Sequence, residues 1–124
     1  PFLVHAAGNV ARAFRVVHDL GLVVGDVNHG NLLADQRATV RIIDCDSFQI
    51  TVGGRTFPCK VGVETHTPPE LQGQDLSMTV RTPNHDAFGL AILIFQLLFL
   101  GRHPYAGKFS GRGDMPIGRA IGEG

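Results

Sequence analysis

A mainly α-helical domain carrying two small β-hairpins is the fold class this sequence predicts, and three observations lead to it. One apolar stripe at helical spacing runs through residues 2–20, a 14-residue apolar run fills 87–100, and between them lie two pairs of short apolar runs broken by turns. The 124 residues leave room for one domain with a core and too little for two ordinary ones.

The stripe consists of Leu3, Ala7, Val10, Phe14 and Val17, at steps of four and three, with Arg12, Arg15 and Asp19 off it. Gly21 should end that helix. The loop GDVNHG then feeds NLLAD, the polar turn QRA and TVRIID, a hairpin with Asn31 at one end and Asp44 at the other. FQITVGGRTF predicts a second hairpin, because Gly53-Gly54 supplies the positive backbone angles of a two-residue turn. Residues 58–84 are irregular and rich in Pro, Thr and Gly, with a short helical start at PPELQG; loops of this length usually serve a function. The helix expected at 86–100 is apolar on every face and so should be surrounded by protein, with Gly101 stopping it and Pro104 preventing its resumption. From Gly107 onward six of the sixteen glycines fall with no periodic apolar face, and no structure is expected there.

Composition narrows the function classes. Eleven basic residues balance eleven acidic ones without runs, which gives no electrostatic ground for a nucleic-acid or anionic-membrane partner. The 14-residue apolar run falls short of the roughly 18 that suggest a bilayer span. Cys45 and Cys59 are too few for a disulfide framework and lack CxxC spacing, so both read as ordinary thiols and the expected location is the cytoplasm. An opening PFLV without Met and a close at GRAIGEG give the expectation of a piece cut from a longer protein.

The chemistry is concentrated in GDVNHGNLL and IIDCD. Asp26 and Asn31 stand five apart in a glycine-containing loop, and a hairpin brings Asn31 beside Asp44 although thirteen positions separate them. A carboxylate and an amide carbonyl suit a hard divalent cation such as magnesium, which takes one or two carboxylates plus phosphate and water. Asp26, clear of the metal, could accept the proton of an attacking hydroxyl. Taken singly, Asp26 or Asp44 is more often a turn residue or cap, and Asp86 a helix cap. His29 and His66 lack metal-ligand spacing and read as loop hydrogen-bonders.

These motifs resemble the C-terminal lobe of protein kinases. VGDVNHGNLL, residues 24–33, reproduces the Asp, the step to Asn and the following Leu-Leu of the H-R-D-x-x-x-x-N catalytic loop. IIDCD stands where the D-F-G metal motif (44–46) follows a hairpin, Pro68-Pro69-Glu70 matches A-P-E at the end of an activation segment spanning 44–70, and NHDAFGLAILIFQLL resembles the buried helix headed by Asp. The resemblance covers residues 1–107, with 108–124 a Gly-rich continuation and the N-terminal lobe missing. It implies ATP and Mg2+ as cofactors and a protein Ser/Thr hydroxyl as acceptor, with Asp26 as base and Asn31 and Asp44 on the metal and nucleotide. It further implies that Leu33 lies against adenine, that Asp86 braces the catalytic loop, and that an Arg beyond these residues pairs with Glu70. The whole looks most like a bacterial kinase-like group, to some members of which a helix-hairpin-helix DNA-binding segment is attributed elsewhere in the chain.

The departures carry consequences. Val24 and Gly25 replace the His and Arg of H-R-D, so the Arg that reads a phosphorylated activation loop is absent; Asn28 stands where many Ser/Thr kinases have Lys. Cys45 and Asp46 replace Phe and Gly, and Asp46 is either a further ligand or, as favoured here, a solvated turn residue. The isolated fragment is expected to be inactive. Two other readings stay open: a small-molecule kinase of the aminoglycoside-phosphotransferase type, which shares the D-x-x-x-x-N step, and a pseudokinase-like scaffold that performs no chemistry.

Overall fold

The computed structural model describes every residue from 1 to 124. Its elements are α1 (Phe2–Asp19), β1 (Leu32–Ala34), β2 (Val40–Ile42), β3 (Ile50–Val52), β4 (Arg55–Phe57), α2 (Pro83–Leu98) and α3 (Ile117–Glu123), joined by short 3-10 turns. Three helices and two separate antiparallel hairpins agree with the mainly α class with small hairpins. No helix is long and apolar enough to cross a membrane.

The apolar stripe of α1 does what its spacing dictates. Ala6, Ala7, Val10 and Phe14 are buried. Gly21, at φ 75, turns the chain out of the helix, with its N–H on the His18 carbonyl (2.9 Å) and the Leu22 N–H on Val17 (3.2 Å), a Schellman closure. Val10 and Phe14 form the core with Leu93 of α2 and with Val24 and Val27, which belong to the loop rather than to any helix. That loop is therefore anchored from within: the buried Val24 and Val27 flank Gly25 and Asp26 like two pegs. Burying each such side chain contributes about 1.5–3 kcal/mol.

Both hairpins form at the expected places. In the first, Leu32 pairs with Ile42 and Ala34 with Val40, and the Ile43 N–H reaches the Asn31 carbonyl (3.0 Å) just past the strands. Its tip is fixed by Asp35, whose carboxylate accepts from the N–H of Arg37 (2.8 Å) and Thr39 (2.9 Å), and it is tied to α1 through Asn9 Nδ2 donating to the Ala38 carbonyl (2.8 Å). The second turns on Gly53 and Gly54 at φ 57 and 76, as a two-residue turn of this hand requires.

Three expectations need correction. The second long helix starts three residues before Asp86, because Thr82-Pro83 makes the better opening: the Thr82 N–H bonds His85 Nδ1 (3.0 Å) and Pro83 has no N–H to lose. That helix is not enclosed on all sides; Asp86, Gly89, Ile92 and Leu93 are buried, whereas Leu98 and Phe99 are 40% and 53% exposed. Its apolar outer face has no covering element in these residues. The glycine-rich tail also contains structure, α3, whose Ile121 is fully buried and whose Gly118 lies against the Glu64 side chain. Fewer than two helical turns with Ile117 and Ile121 as the apolar contacts produce no periodic signal.

Two helical glycines make opposite demands. A Cβ at Gly89 would stand 2.8 Å from Val27 Cβ and 2.9 Å from the His66 carbonyl, so α2, the 24–27 loop and the 64–66 turn meet there at backbone distance. A Cβ at Gly8 meets nothing within 4 Å. In urea melts Gly8→Ala is expected to stabilise by about 0.5–1 kcal/mol, and Gly89→Ala to destabilise by about 1–3 kcal/mol; equal effects would contradict this packing.

Candidate active site

The site is built around a buried carboxylate. Asp86, 1% exposed, accepts the Val24 N–H on Oδ2 and the Gly25 N–H on Oδ1, each at 2.8 Å. His18, from the last turn of α1, adds Nε2 at 2.8 Å from Oδ2. A carboxylate offers only acceptors, so that ring nitrogen carries the hydrogen. Asp86 is not a helix cap: it is the fourth residue of α2 and turns inward.

Gly25 sits where a side chain could not. Its φ is 73, the Asp26 N–H closes a three-residue turn onto the Val24 carbonyl (2.8 Å), and a Cβ there would lie 2.5 Å from Cys59 Cβ. The Gly25 carbonyl is taken by the guanidinium of Arg81, which also reaches the carbonyls of Cys59 (3.1 Å) and Val61. Gln49 completes the frame: its amide exchanges two bonds with the Arg81 backbone, both 2.7 Å, while its own backbone pairs with Val23.

On this frame Asp26 is held at its carbonyl and at its carboxylate. Asn31 Nδ2 donates to the Asp26 carbonyl and to its Oδ2, both at 3.0 Å, and the Asn31 amide oxygen has no hydrogen-bond partner. Asn28, at the position where the resemblance expects Lys, instead shapes the loop: Nδ2 donates to the Asp26 carbonyl (3.3 Å) and Oδ1 accepts the Gly30 N–H (2.9 Å).

Asp44 follows the hairpin in the left-handed region, φ 62 and ψ 39, and opens the turn Cys45–Ser47. A hydrogen bond to Asp46, and then the charge of that carboxylate, hold the Asp44 carboxyl above the usual carboxylate range, with Asp26 adding to the effect. None of the four ion pairs includes Asp26, Asp44 or Asp46. The hairpin thus brings Asp26, Asn31 and Asp44 to one end, as the sequence suggested, and gathers carboxylates there without a cation. Asp44 is exposed and Asp26 half-buried, and their carboxylates beside an amide oxygen are the donor types that a hard divalent ion takes. No group of three or more His, Cys, Asp or Glu side chains is placed to hold a metal ion.

Leu33 is 52% exposed and lines, with Leu32, Ala34 and Val40, an open apolar cavity of about 510 Å³ between the first hairpin, α1 and α2. His66 is buried and bonded to Thr65 Oγ1 and Gln96 Oε1 (both 3.0 Å), and burial lowers its pKa; the His29 ring faces it at 6.5 Å. Cys45 is exposed and Cys59 buried, both free. Glu70 stands 3.7 Å from His85 Nε2. Four functional supports were missed in the sequence. His18 had a signal, since it lies four residues beyond Phe14 and puts a polar ring on the apolar stripe; Asn28 stood out only as a replacement for Lys, and Gln49 and Arg81 had no signal, acting across 32 and 56 positions.

No family model matches the chain. It is 50% identical over 107 residues to Protein kinase YegI of Escherichia coli strain K12, covering 86% of this chain and 16% of that protein. It is 32% identical over 101 residues to Serine/threonine-protein kinase N2 of Danio rerio, covering 82% of this chain and 10% of that protein. With Serine/threonine-protein kinase PksC of Streptomyces coelicolor the identity is 27% over 97 residues, covering 78% and 17%. The chain thus spans less than a fifth of the length of these relatives, and their names support a kinase-like family.

An NMR titration of the side-chain carboxyls checks the acidic cluster. Asp44 should titrate above Asp35 and Asp75, whose carboxyls are lowered by hydrogen bonds from Thr39 and Ser77. A carboxyl raised on folding favours the fold below its unfolded value, about pH 4, and loses that contribution as pH rises through the folded value. Asp46→Asn should bring Asp44 down; an unmoved Asp44 would show that Asp46 is not the cause.

Proposed function

We propose that the full-length protein carrying this chain transfers a phosphoryl group from ATP to a Ser or Thr hydroxyl of a protein substrate. The observation that carries this reading is the Asn31 side chain bonded to the carbonyl and the carboxylate of Asp26 while Asp44 stands close enough for the two aspartates to repel. Such an arrangement supports Asp26 as the base, beside two oxygens, Asn31 Oδ1 and one of the Asp44 carboxylate, that would take a metal ion.

Asp26 takes the proton of the acceptor hydroxyl. That oxygen bonds to the γ-phosphorus, the bond from phosphorus to the bridging oxygen breaks, and ADP leaves. Asn31 Oδ1 and the Asp44 carboxylate would hold Mg2+, which supplies neutralisation of the charge developing on the phosphates. Leu33 offers an exposed apolar surface on which the adenine ring can lie. The frame around Gly25 fixes where Asp26 points, which matters because this chemistry rests on positioning. The kinase names of the relatives support the reaction class, and the cytoplasm remains the proposed location.

Phosphoryl transfer by the full-length protein, wild type against Asp26→Ala, tests the proposal. The variant is expected to lose about 100-fold to 10,000-fold in kcat with its fold intact; equal rates would end this reading.

A further inference from the structure

Arg81 lies outside every motif that the proposed function uses, yet it is 4% exposed and its guanidinium sits between two segments of the site. Its Nη1 donates to the Gly25 carbonyl, and Nη2 to the carbonyls of Cys59 (3.1 Å) and Val61. No carboxylate pairs with it; Asp86 is occupied by Val24, Gly25 and His18. Gly25 is consequently gripped from both sides, its N–H by an anion and its C=O by a cation, one residue before Asp26.

Residues 44–70 contain five hydroxyls, and each is engaged within the fold. Ser47 donates to the Asp44 carbonyl (3.1 Å), Thr51 and Thr56 bond each other (2.9 Å), Thr65 bonds His66 Nδ1 (3.0 Å) and Thr67 donates to the Val63 carbonyl (3.0 Å). Position 25, from which an arginine could reach a phosphate, is a glycine pressed onto Cys59, and Arg81 Nη1 lies 3.1 Å from where its Cβ would be.

We infer that Arg81 is a positioning residue that holds residues 59–61 on the loop bearing Asp26, so that the base is aimed without phosphorylation of that segment. This rests on the proposed phosphoryl transfer for its kinetic consequence, although the clamp itself can be read without activity. A planar guanidinium with five donors spans three carbonyls; a lysine ammonium on one stem does not.

The full-length protein is compared as wild type, Arg81→Lys, Arg81→Ala and Asp26→Ala, with melting curves to confirm folding. Lys60 is exposed between the two gripped carbonyls, so trypsin cleavage at Lys60–Val61, located by mass spectrometry, reports release of the segment. Both Arg81 variants should be cut at least about tenfold faster than wild type, as loss of charge-assisted bonds implies. Their kcat should fall about 100-fold with KM for ATP unchanged, Arg81→Lys less than Arg81→Ala, and phosphatase treatment should leave wild-type kcat as it was. Unchanged cleavage in the Arg81→Lys protein, or loss of wild-type activity on dephosphorylation, would overturn the inference. If wild type and Asp26→Ala transfer phosphate equally, the functional reading fails, and the cleavage comparison still decides whether Arg81 clamps the segment.

Discussion

One buried charge organises this structure. The Asp86 carboxylate is withdrawn from water by α1, α2 and the 23–27 loop, and removing a carboxylate from water costs several kcal/mol. Three hydrogen bonds to a charged group return about 1.5–3 kcal/mol each, so the net gain in stability is small. What the arrangement secures is geometry: two successive backbone N–H groups must point at one carboxylate, and His18 must lie beside them. Few other conformations of Val24 and Gly25 satisfy that demand.

The constraint passes outward through strained backbone. Gly25 at φ 73 and Asp44 at φ 62 adopt angles that cost of order 1–3 kcal/mol when a side chain is present, and both sit within the acidic cluster. They persist because their surroundings leave no alternative. Gly25 has both polar groups held and Cys59 against its face; Asp44 follows a strand pair pinned to α1 by Asn9. Asp26 inherits its direction from Gly25 and its rotamer from Asn31. Carboxylates gathered in this way repel one another, and that repulsion helps to hold the Asp44 carboxyl above the usual carboxylate range.

Local features of the fold were legible. Helical spacing gave α1, Gly53-Gly54 gave the second hairpin, and the Asp26–Asn31 step with its hairpin gave the cluster. Asp86 was readable only through the resemblance, since an Asp near a helix start is ordinarily a cap. What stayed hidden depends on long-range contacts that leave no mark on neighbouring residues: Arg81 reaching Gly25, Gln49 matching the Arg81 backbone, and Ile121 of α3 finding the 64–71 turns. The start of α2 departs from expectation for another reason: Thr82-Pro83 opens a helix as well as an Asp does, and it stands ahead of Asp86.

Amide hydrogen exchange in Asp86→Asn tests the organising role of this carboxylate most directly. An asparagine keeps one acceptor oxygen and loses the charge, so the Val24 and Gly25 amides should lose protection by about tenfold or more, while the Phe14 amide in mid-helix keeps its own. Unchanged protection at both loop amides would mean that something other than Asp86 holds the loop in place.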